Sequence, residues 1–310
     1  MIDWVLDSVE DSGIEDVCVV VGHLGEALEI HLDGKCEIAY QKERLGTGHA
    51  VMQTVDYLER TDAENVLILN GDAPFIDAAT IEDSLSMHIS SQNAVTVISA
   101  KIKNPLGYGR IIRDENGNFQ SIVEQKDTSD AQKQINEVNS GAYWFDKKCL
   151  IYALSQIKPE NEAHEYYLTD TISELRKIGK KPGVFMTDNA DVVLGANDRV
   201  QLMELNGIAR RQVLLNLLIN GVEIPCMDGV VVGTDVEMGA GTLLLPNTII
   251  RGRSKIGTNC ELGPNCLIDD SIICDEVKLN NTFVESAQIE KGADIGPFDH
   301  IRPNSIIGSR

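Results

Sequence analysis

Ile249-Ile-Arg-Gly-Arg-Ser-Lys-Ile-Gly-Thr-Asn-Cys-Glu-Leu-Gly-Pro-Asn-Cys-Leu-Ile268 sets aliphatic residues at positions 250, 256, 262 and 268, six residues apart. An α-helix repeats every 3.6 residues and a plain strand every two, so neither yields this spacing. A short flat strand followed by a corner, repeated, does yield it, and this is the hexapeptide pattern of a parallel β-helix. The series reaches back to Met238 and Leu244. It runs forward through Ile273, Leu279, Val284, Ile289, Ile295, Ile301 and Ile307 in steps of five or six, thirteen positions in one register. A generic β-sandwich would space its turns irregularly.

Upstream the grammar differs. Val17–Val21, Glu37–Tyr40, Asn65–Leu69 and Ala94–Ile98 read as apolar strands, separated by helical stretches at about 3–12, 47–58 and 78–90. Such alternation predicts βαβ units, a mostly parallel sheet and an α/β, doubly wound, Rossmann-like domain. Gly107–Ile112 and Phe119–Val123, joined through Asn116-Gly117, read as an antiparallel hairpin inserted in that domain. One long helix from Asp198 to about Ile219 ends at Asn220-Gly221. The expected division is therefore an α/β domain over 1–199, a helical arm over 200–220 and a partial β-helix over 221–310.

Composition narrows the function. The chain has 310 residues with 27 Lys+Arg against 48 Asp+Glu, a formal net charge of −21. That balance argues against nucleic acid and against anionic membrane surfaces as partners, while a locally positive pocket or a metal ion can still take a phosphorylated substrate. No apolar run is long enough to span a bilayer, and no signal peptide opens the chain. Seven cysteines without a Cys-x-x-Cys pair imply buried thiols and a reducing cytoplasm. Six histidines in no metal-ligand spacing argue against a zinc hydrolase.

Three groups of residues can carry chemistry. Gln41-Lys-Glu-Arg-Leu-Gly-Thr-Gly-His49 follows a strand and opens a helix. Gly46 and Gly48 allow close backbone approach to a ligand, or simply make a turn capped by Thr47. His49 is a candidate base or a packing residue. Leu69-Asn-Gly-Asp72 puts a carboxylate just past a strand end, where open α/β sheets bind ligands. Asp72 there is a hard oxygen ligand for Mg²⁺ or a helix cap. Gly109, Glu124, Asn139 and Asn197 are polar or turn-like positions that also read as turns and caps. Glu165-Tyr-Tyr-Leu-Thr-Asp170 reads as a hydrophobic staple before a helix.

Taken together these pieces resemble one family. Leu45-Gly-Thr-Gly-His-Ala50, Gly71-Asp72, Gly107-Tyr-Gly-Arg-Ile111, Val123-Glu-Gln-Lys-Asp127, Glu165–Asp170, Asn197 ahead of a β-helix, and Ile295-Gly-Pro-Phe298 with Arg302-Pro303 are similar to the bacterial bifunctional N-acetylglucosamine-1-phosphate uridylyltransferase/glucosamine-1-phosphate acetyltransferases. The likeness covers essentially the whole chain, and the β-helix it implies is left-handed. Any one motif alone fits several sugar nucleotidyltransferases.

The resemblance implies roles. Gln41, Gly46 and Thr47 would contact the uridine base. Asn70, Gly71 and Asp72 would line the nucleotide and sugar site, with Asp72 and Asn197 holding Mg²⁺. Gly109, Glu124 and Asn139 would bind the N-acetylglucosamine portion, and Arg302 would meet a sugar phosphate in the acetyltransferase site. The substrates would be UTP and N-acetylglucosamine 1-phosphate, with acetyl-CoA a co-substrate of the full-length protein only. A cytoplasmic homotrimer assembled through the β-helix is implied. The alternatives are a nucleotidylyltransferase for another sugar 1-phosphate and a non-catalytic scaffold that binds nucleotide-sugar.

Two departures from the family pattern accompany the likeness. Its opening strand and Gly-rich triphosphate loop have no counterpart, because Met1-Ile-Asp-Trp-Val5 already reads as the next helix. That strand would lie centrally in the sheet, so its loss would expose two strand edges. Arg310 falls within a repeat, ahead of the family's acetyl-transfer base and acetyl-CoA groove. A fragment of a longer protein is the expectation, active when complete but weak or inactive as this chain alone, and a natural short form that lost catalysis is the alternative.

Overall fold

The computed structural model describes residues 1–22, 25–161, 163–196 and 198–309. The chain forms two compact units, Met1–Asn197 and Asp198–Arg310.

The first unit runs α1 (Ile2–Asp11), β1 (Cys18–Val21), α2 (Gly25–His31), β2 (Glu37–Tyr40), α3 (Thr47–Met52), α4 (Val55–Arg60) and β3 (Asn65–Ile68). It continues with α5 (Ala78–Ser90), β4 (Val95–Lys101), the hairpin β5 (Arg110–Arg113) and β6 (Phe119–Val123), and then β7 (Glu137–Asp146). It closes with α6 (Lys147–Leu154), α7 (Asp170–Lys177) and β8 (Pro182–Thr187). The helix expected over 47–58 is two helices, broken at Gln53-Thr54.

β7 organises this unit. β4 lies antiparallel along one of its edges. The opposite edge takes β5 near the start, where Arg110 pairs with Val138, and β3 near the end, through Tyr143 to Asp146. β8 then pairs with β4 in parallel. The sheet expected to be mostly parallel is therefore mixed. The chain returns from the β5–β6 hairpin as a long antiparallel strand threaded between β3 and β4, a pairing that local patterning does not encode.

Both faces of this sheet are buried. Tyr143 and Phe145 pack on one side with Leu150, Leu154, Ile172 and Leu175 of α6 and α7. Ala142 and Trp144 pack on the other with Val9 of α1 and Ile81 of α5. Period-two alternation along β7 sorts these side chains between the layers.

β1 and β2 form a separate parallel pair. Between β1 and β3 lies a cavity of about 860 Å³. Its lining includes the consecutive residues Cys18, Val19 and Val20 from one side and Asn65 to Leu69 from the other. A strand presents consecutive residues only along its edge, because its faces show alternate ones. The cavity is thus bounded by two strand edges that no described strand pairs, and α1 roofs it with Ile2, Val5 and Val9.

In the second unit, α8 (Arg199–Ile219) starts at Asp198, whose carboxylate accepts from Val200 N and Gln201 N at 2.8 Å each. Leu214 is buried with Val222 and Val230, against the first coil beyond the helix. Three stacked parallel sheets then make a left-handed β-helix of short strands. In one sheet, Ile249 pairs with Leu267, and Leu267 with Phe283. Nine of the thirteen aliphatic positions, from Leu244 to Ile289, are at most 5% exposed. Met238, Ile295, Ile301 and Ile307 are partly buried, in the outer coils where neighbours stack on one side only. The corners need left-handed backbone. Gly229, Asn247, Asn265 and Asn281 occupy one corner column with φ of 67°, 58°, 56° and 48°. Asparagine tolerates this region and adds an amide ladder, Asn247 Nδ2 to Asn265 Oδ1 at 3.0 Å and Asn265 Nδ2 to Asn281 Oδ1 at 2.8 Å.

Candidate active site

Along the β7 edge, the gap between β5 and β3 opens a second, smaller cavity of about 260 Å³. Thr47, Asn70, Asp72, Gly109, Glu124 and Asn139 line it together, although they are spread over 93 residues of chain from 47 to 139. Strand ends that diverge at a sheet edge leave a crevice whose walls are loops, and loops can present polar groups to a ligand.

The first wall is the turn before α3. Gly46 sits at φ 106°, open to glycine only at low cost. A Cβ on Gly46 would lie 2.6 Å from Tyr166 O, and one on Gly48 would lie 3.0 Å from the same atom. The segment 165–168 runs against the turn through Tyr166 N to Leu45 O at 2.7 Å, Gly48 N to Tyr166 O at 2.7 Å and Leu168 N to Thr47 Oγ1 at 3.1 Å. The glycines thus make room for a clamping segment. Thr47 opens α3, and the cap position belongs to Gly46. The Gln41 amide donates to Gly46 O at 3.0 Å and lies 3.1 Å from His49 Nδ1, so His49 is engaged with a neighbour inside the turn.

The second wall is the loop after β3. Asp77, not Asp72, caps α5, accepting from Thr80 N at 2.7 Å. Asp72 is exposed at the cavity, and among the described residues no ion pair engages its carboxylate. Gly195 approaches it closely, with room for no more than a Cβ at 3.2 Å from Asp72 O. Asn70 is seated on Gly141, whose φ of 79° and missing side chain leave space for the Asn70 amide. Gly71 lines the larger cavity with Asn70 and Asp72, so the two cavities meet at this loop.

The third wall carries Gly109, Glu124 and Asn139. A Cβ on Gly109 would stand 3.3 Å from Glu124 Oε2. Burial pushes the Glu124 carboxyl above its ordinary value, against a hydrogen bond from Thr169 that pulls it down; Asp127 and Asp170 add to the rise. Asn139 Nδ2 donates to Tyr143 OH at 2.6 Å, and Asn139 Oδ1 accepts from Gly141 N at 3.0 Å. Burial also raises the Tyr143 phenol.

Asn197 lies outside the described residues, although Gly195, two positions earlier, borders the cavity beside Asp72. Arg302 is exposed in a turn of the second unit, where its carbonyl accepts from Ser305 N at 3.1 Å. Sequence reasoning passed over Tyr108, Gly141, Thr169 and Gly195, which line the same cavity. Tyr108 and Thr169 sit within the Gly107–Ile111 and Glu165–Asp170 motifs, whereas Gly141 and Gly195 become visible only through what they touch.

A nucleotidyl transferase family model matches residues 1–192. The chain belongs to the nucleotidyl transferase family. Among curated relatives, the Bifunctional protein GlmU of Thermoanaerobacter pseudethanolicus is 43% identical over 307 residues, covering 99% of this chain and 66% of its own length. The protein of the same name from Caldanaerobacter subterraneus subsp. tengcongensis is 42% identical with the same coverage. That of Acetivibrio thermocellus is 41% identical over 308 residues, covering 67% of its length. This nucleotidyl transferase thus spans about two thirds of the relatives it matches.

Proposed function

We propose that the cavity between β3 and β5 takes UTP and N-acetylglucosamine 1-phosphate and joins them as UDP-N-acetylglucosamine. A phosphate oxygen of the sugar attacks the α-phosphorus of UTP, the bond from that phosphorus to the β-phosphate breaks, and pyrophosphate leaves. The nucleophile is a phosphate monoester with a second pKa of about 6, already ionised near neutrality. No protein base is needed, in keeping with a His49 held inside the α3 turn. The work left to the protein is positioning and charge neutralisation.

The observation that carries this reading is the convergence of Thr47, Asn70, Asp72, Gly109, Glu124 and Asn139 on one cavity. Gln41, Gly46 and Thr47 take the base, Asn70 and Gly71 the nucleotide and sugar, and Gly109, Glu124 and Asn139 the N-acetylglucosamine end. Asp72 offers an exposed hard oxygen beside the 195–196 segment, a donor type that fits Mg²⁺, and Asp72 with Asn197 would hold the ion. Bound there, Mg²⁺ would supply positive charge against the phosphate oxygens of an otherwise acidic protein.

On the same reading the chain assembles through its β-helix into a homotrimer, and works in the cytoplasm. On one sheet, an outward column of Val231, Ile249, Leu267 and Phe283 is apolar, with Val231 42% and Ile249 37% exposed and His300 stacked on Phe283 at 4.6 Å, beside a charged column of Arg251, Asp269 and Glu285. The sheet of Glu261, Lys278 and Asp294 shows charges outward instead. Arg302 would serve a sugar phosphate in the acetyltransferase part of a full-length protein, which alone would use acetyl-CoA.

The test is Mg²⁺-dependent pyrophosphate release from UTP, with N-acetylglucosamine 1-phosphate against glucose 1-phosphate. Whatever release occurs is expected with the first sugar alone. Release with glucose 1-phosphate would reassign the sugar, and binding of UDP-N-acetylglucosamine without turnover would favour the scaffold reading.

A further inference from the structure

Arg110, at the start of β5, is 1% exposed and heads the fully buried side chains by size. Among the described residues no carboxylate pairs with it, and its Nε has no hydrogen-bond partner. A guanidinium buried without a counter-ion is costly, so the few bonds it keeps are informative. One terminal nitrogen donates to the Tyr108 carbonyl, and the other donates to Gln125 Oε1 at 3.0 Å. The same Gln125 oxygen accepts from Gly107 N at 3.0 Å.

Three successive residues of the cavity lip are thereby tied down from three directions. Gln125 holds the Gly107 amide, Arg110 holds the Tyr108 carbonyl, and Asn139 N donates to Gly109 O at 2.9 Å. The lip needs such restraint, because Gly107 sits at φ 93° and glycine-flanked backbone is the freest to move. Its position matters, because Gly109 passes so close to the Glu124 carboxylate, and Glu124 adjoins Gln125 in the chain. One amide oxygen therefore sets both the lip and the register of the carboxylate facing it.

We propose that Arg110 and Gln125 are positioning residues that hold the Gly107–Gly109 lip at the sugar end of the cavity and so set discrimination for the sugar moiety. This rests on the assignment of that cavity to the nucleotide-sugar. Neither residue lines the cavity, so each acts through the lip rather than by touching ligand.

The experiment is calorimetric titration of the full chain and of Gln125→Ala, Gln125→Glu and Arg110→Lys with UDP and with UDP-N-acetylglucosamine, both with Mg²⁺. Gln125→Ala and Arg110→Lys are expected to weaken UDP-N-acetylglucosamine by about tenfold while UDP stays within about twofold, the loss of roughly one net hydrogen bond. Gln125→Glu keeps an acceptor for both donors and is expected to retain the wild-type preference. Half-buried Gln125 can be changed even if the buried Arg110→Lys variant fails to fold. Parallel weakening of both ligands would reduce the pair to a structural role and overturn the proposal. A wild-type preference for the sugar nucleotide that survives Gln125→Ala would overturn it too, and leave the site reading standing. A wild-type chain that binds neither ligand, or both alike, would overturn the site reading and the proposal with it.

Discussion

Glu124 shows how a single side chain carries both cost and use. Its carboxyl is raised chiefly by burial, so the folded protein holds a proton at a pH where the unfolded chain has lost it. Stability then falls as pH rises from the ordinary glutamate value through the raised one, because the folded state binds more protons across that window. Replacing Glu124 with Gln is expected to flatten that fall, leaving the variant the more stable above the window, in thermal unfolding followed across pH. On the functional reading the same variant binds UDP-N-acetylglucosamine less tightly. Asp72 is the opposite case, an exposed carboxylate that costs the fold little. Asp72→Ala is expected to leave the unfolding temperature nearly unchanged and, on the functional reading, to lower Mg²⁺-dependent pyrophosphate release by about a hundredfold or more. Activity at the wild-type level in that variant would remove Asp72 from the site.

At the scale of elements, the turn before α3 and the segment 165–168 act as one piece. Gly46→Ala puts a methyl group 2.6 Å from Tyr166 O at a positive φ, so the turn must shift or the clamp must open. A destabilisation of about 1–3 kcal/mol is expected in denaturant titration, together with weaker uridine nucleotide binding on the functional reading. The cavity between β1 and β3 makes a different demand. Amides on strand edges that no neighbour pairs are open to solvent exchange, whereas β4 is paired on both sides. Hydrogen exchange is expected to be faster across Cys18–Val21 and Asn65–Ile68 than across Val95–Lys101. Equal protection would mean that the two edges are closed in solution.

For the whole molecule, the two units differ in how their stability is distributed. The β-helix buries one aliphatic side chain per strand in a column, so each coil leans on its neighbours. Leu262→Ala or Ile268→Ala, both fully buried in middle coils, is expected to cost about 2–5 kcal/mol in the stability of the second unit. Ile307→Ala, in an outer coil and partly buried, is expected to cost less. Equal costs at both places would argue against a stack held by nearest neighbours.

The thirteen aliphatic positions and their Asn, Asp and Gly corners were legible in the sequence alone, because a β-helix coil closes over a few residues and its period depends on local backbone. The first four strands of the first unit and the hairpin through Asn116-Gly117 were legible for the same reason, whereas β7 and β8 were not. The motifs around Gly46, Asp72, Gly109 and Glu124 could be picked out one at a time, each with a turn or cap as a rival reading. Tertiary structure decided between those readings at particular residues. Asp77, not Asp72, took the helix cap, and Gly46 and Gly48 proved to seat Tyr166 from more than a hundred residues away. It also made β7 antiparallel between β3 and β4 and left two strand edges facing a cavity. Strand direction and edge pairing arise from contacts distant in sequence, and no local period records them. The sequence determined which residues are candidates for chemistry and which coil repeats; the packing of distant segments decided which of them meet.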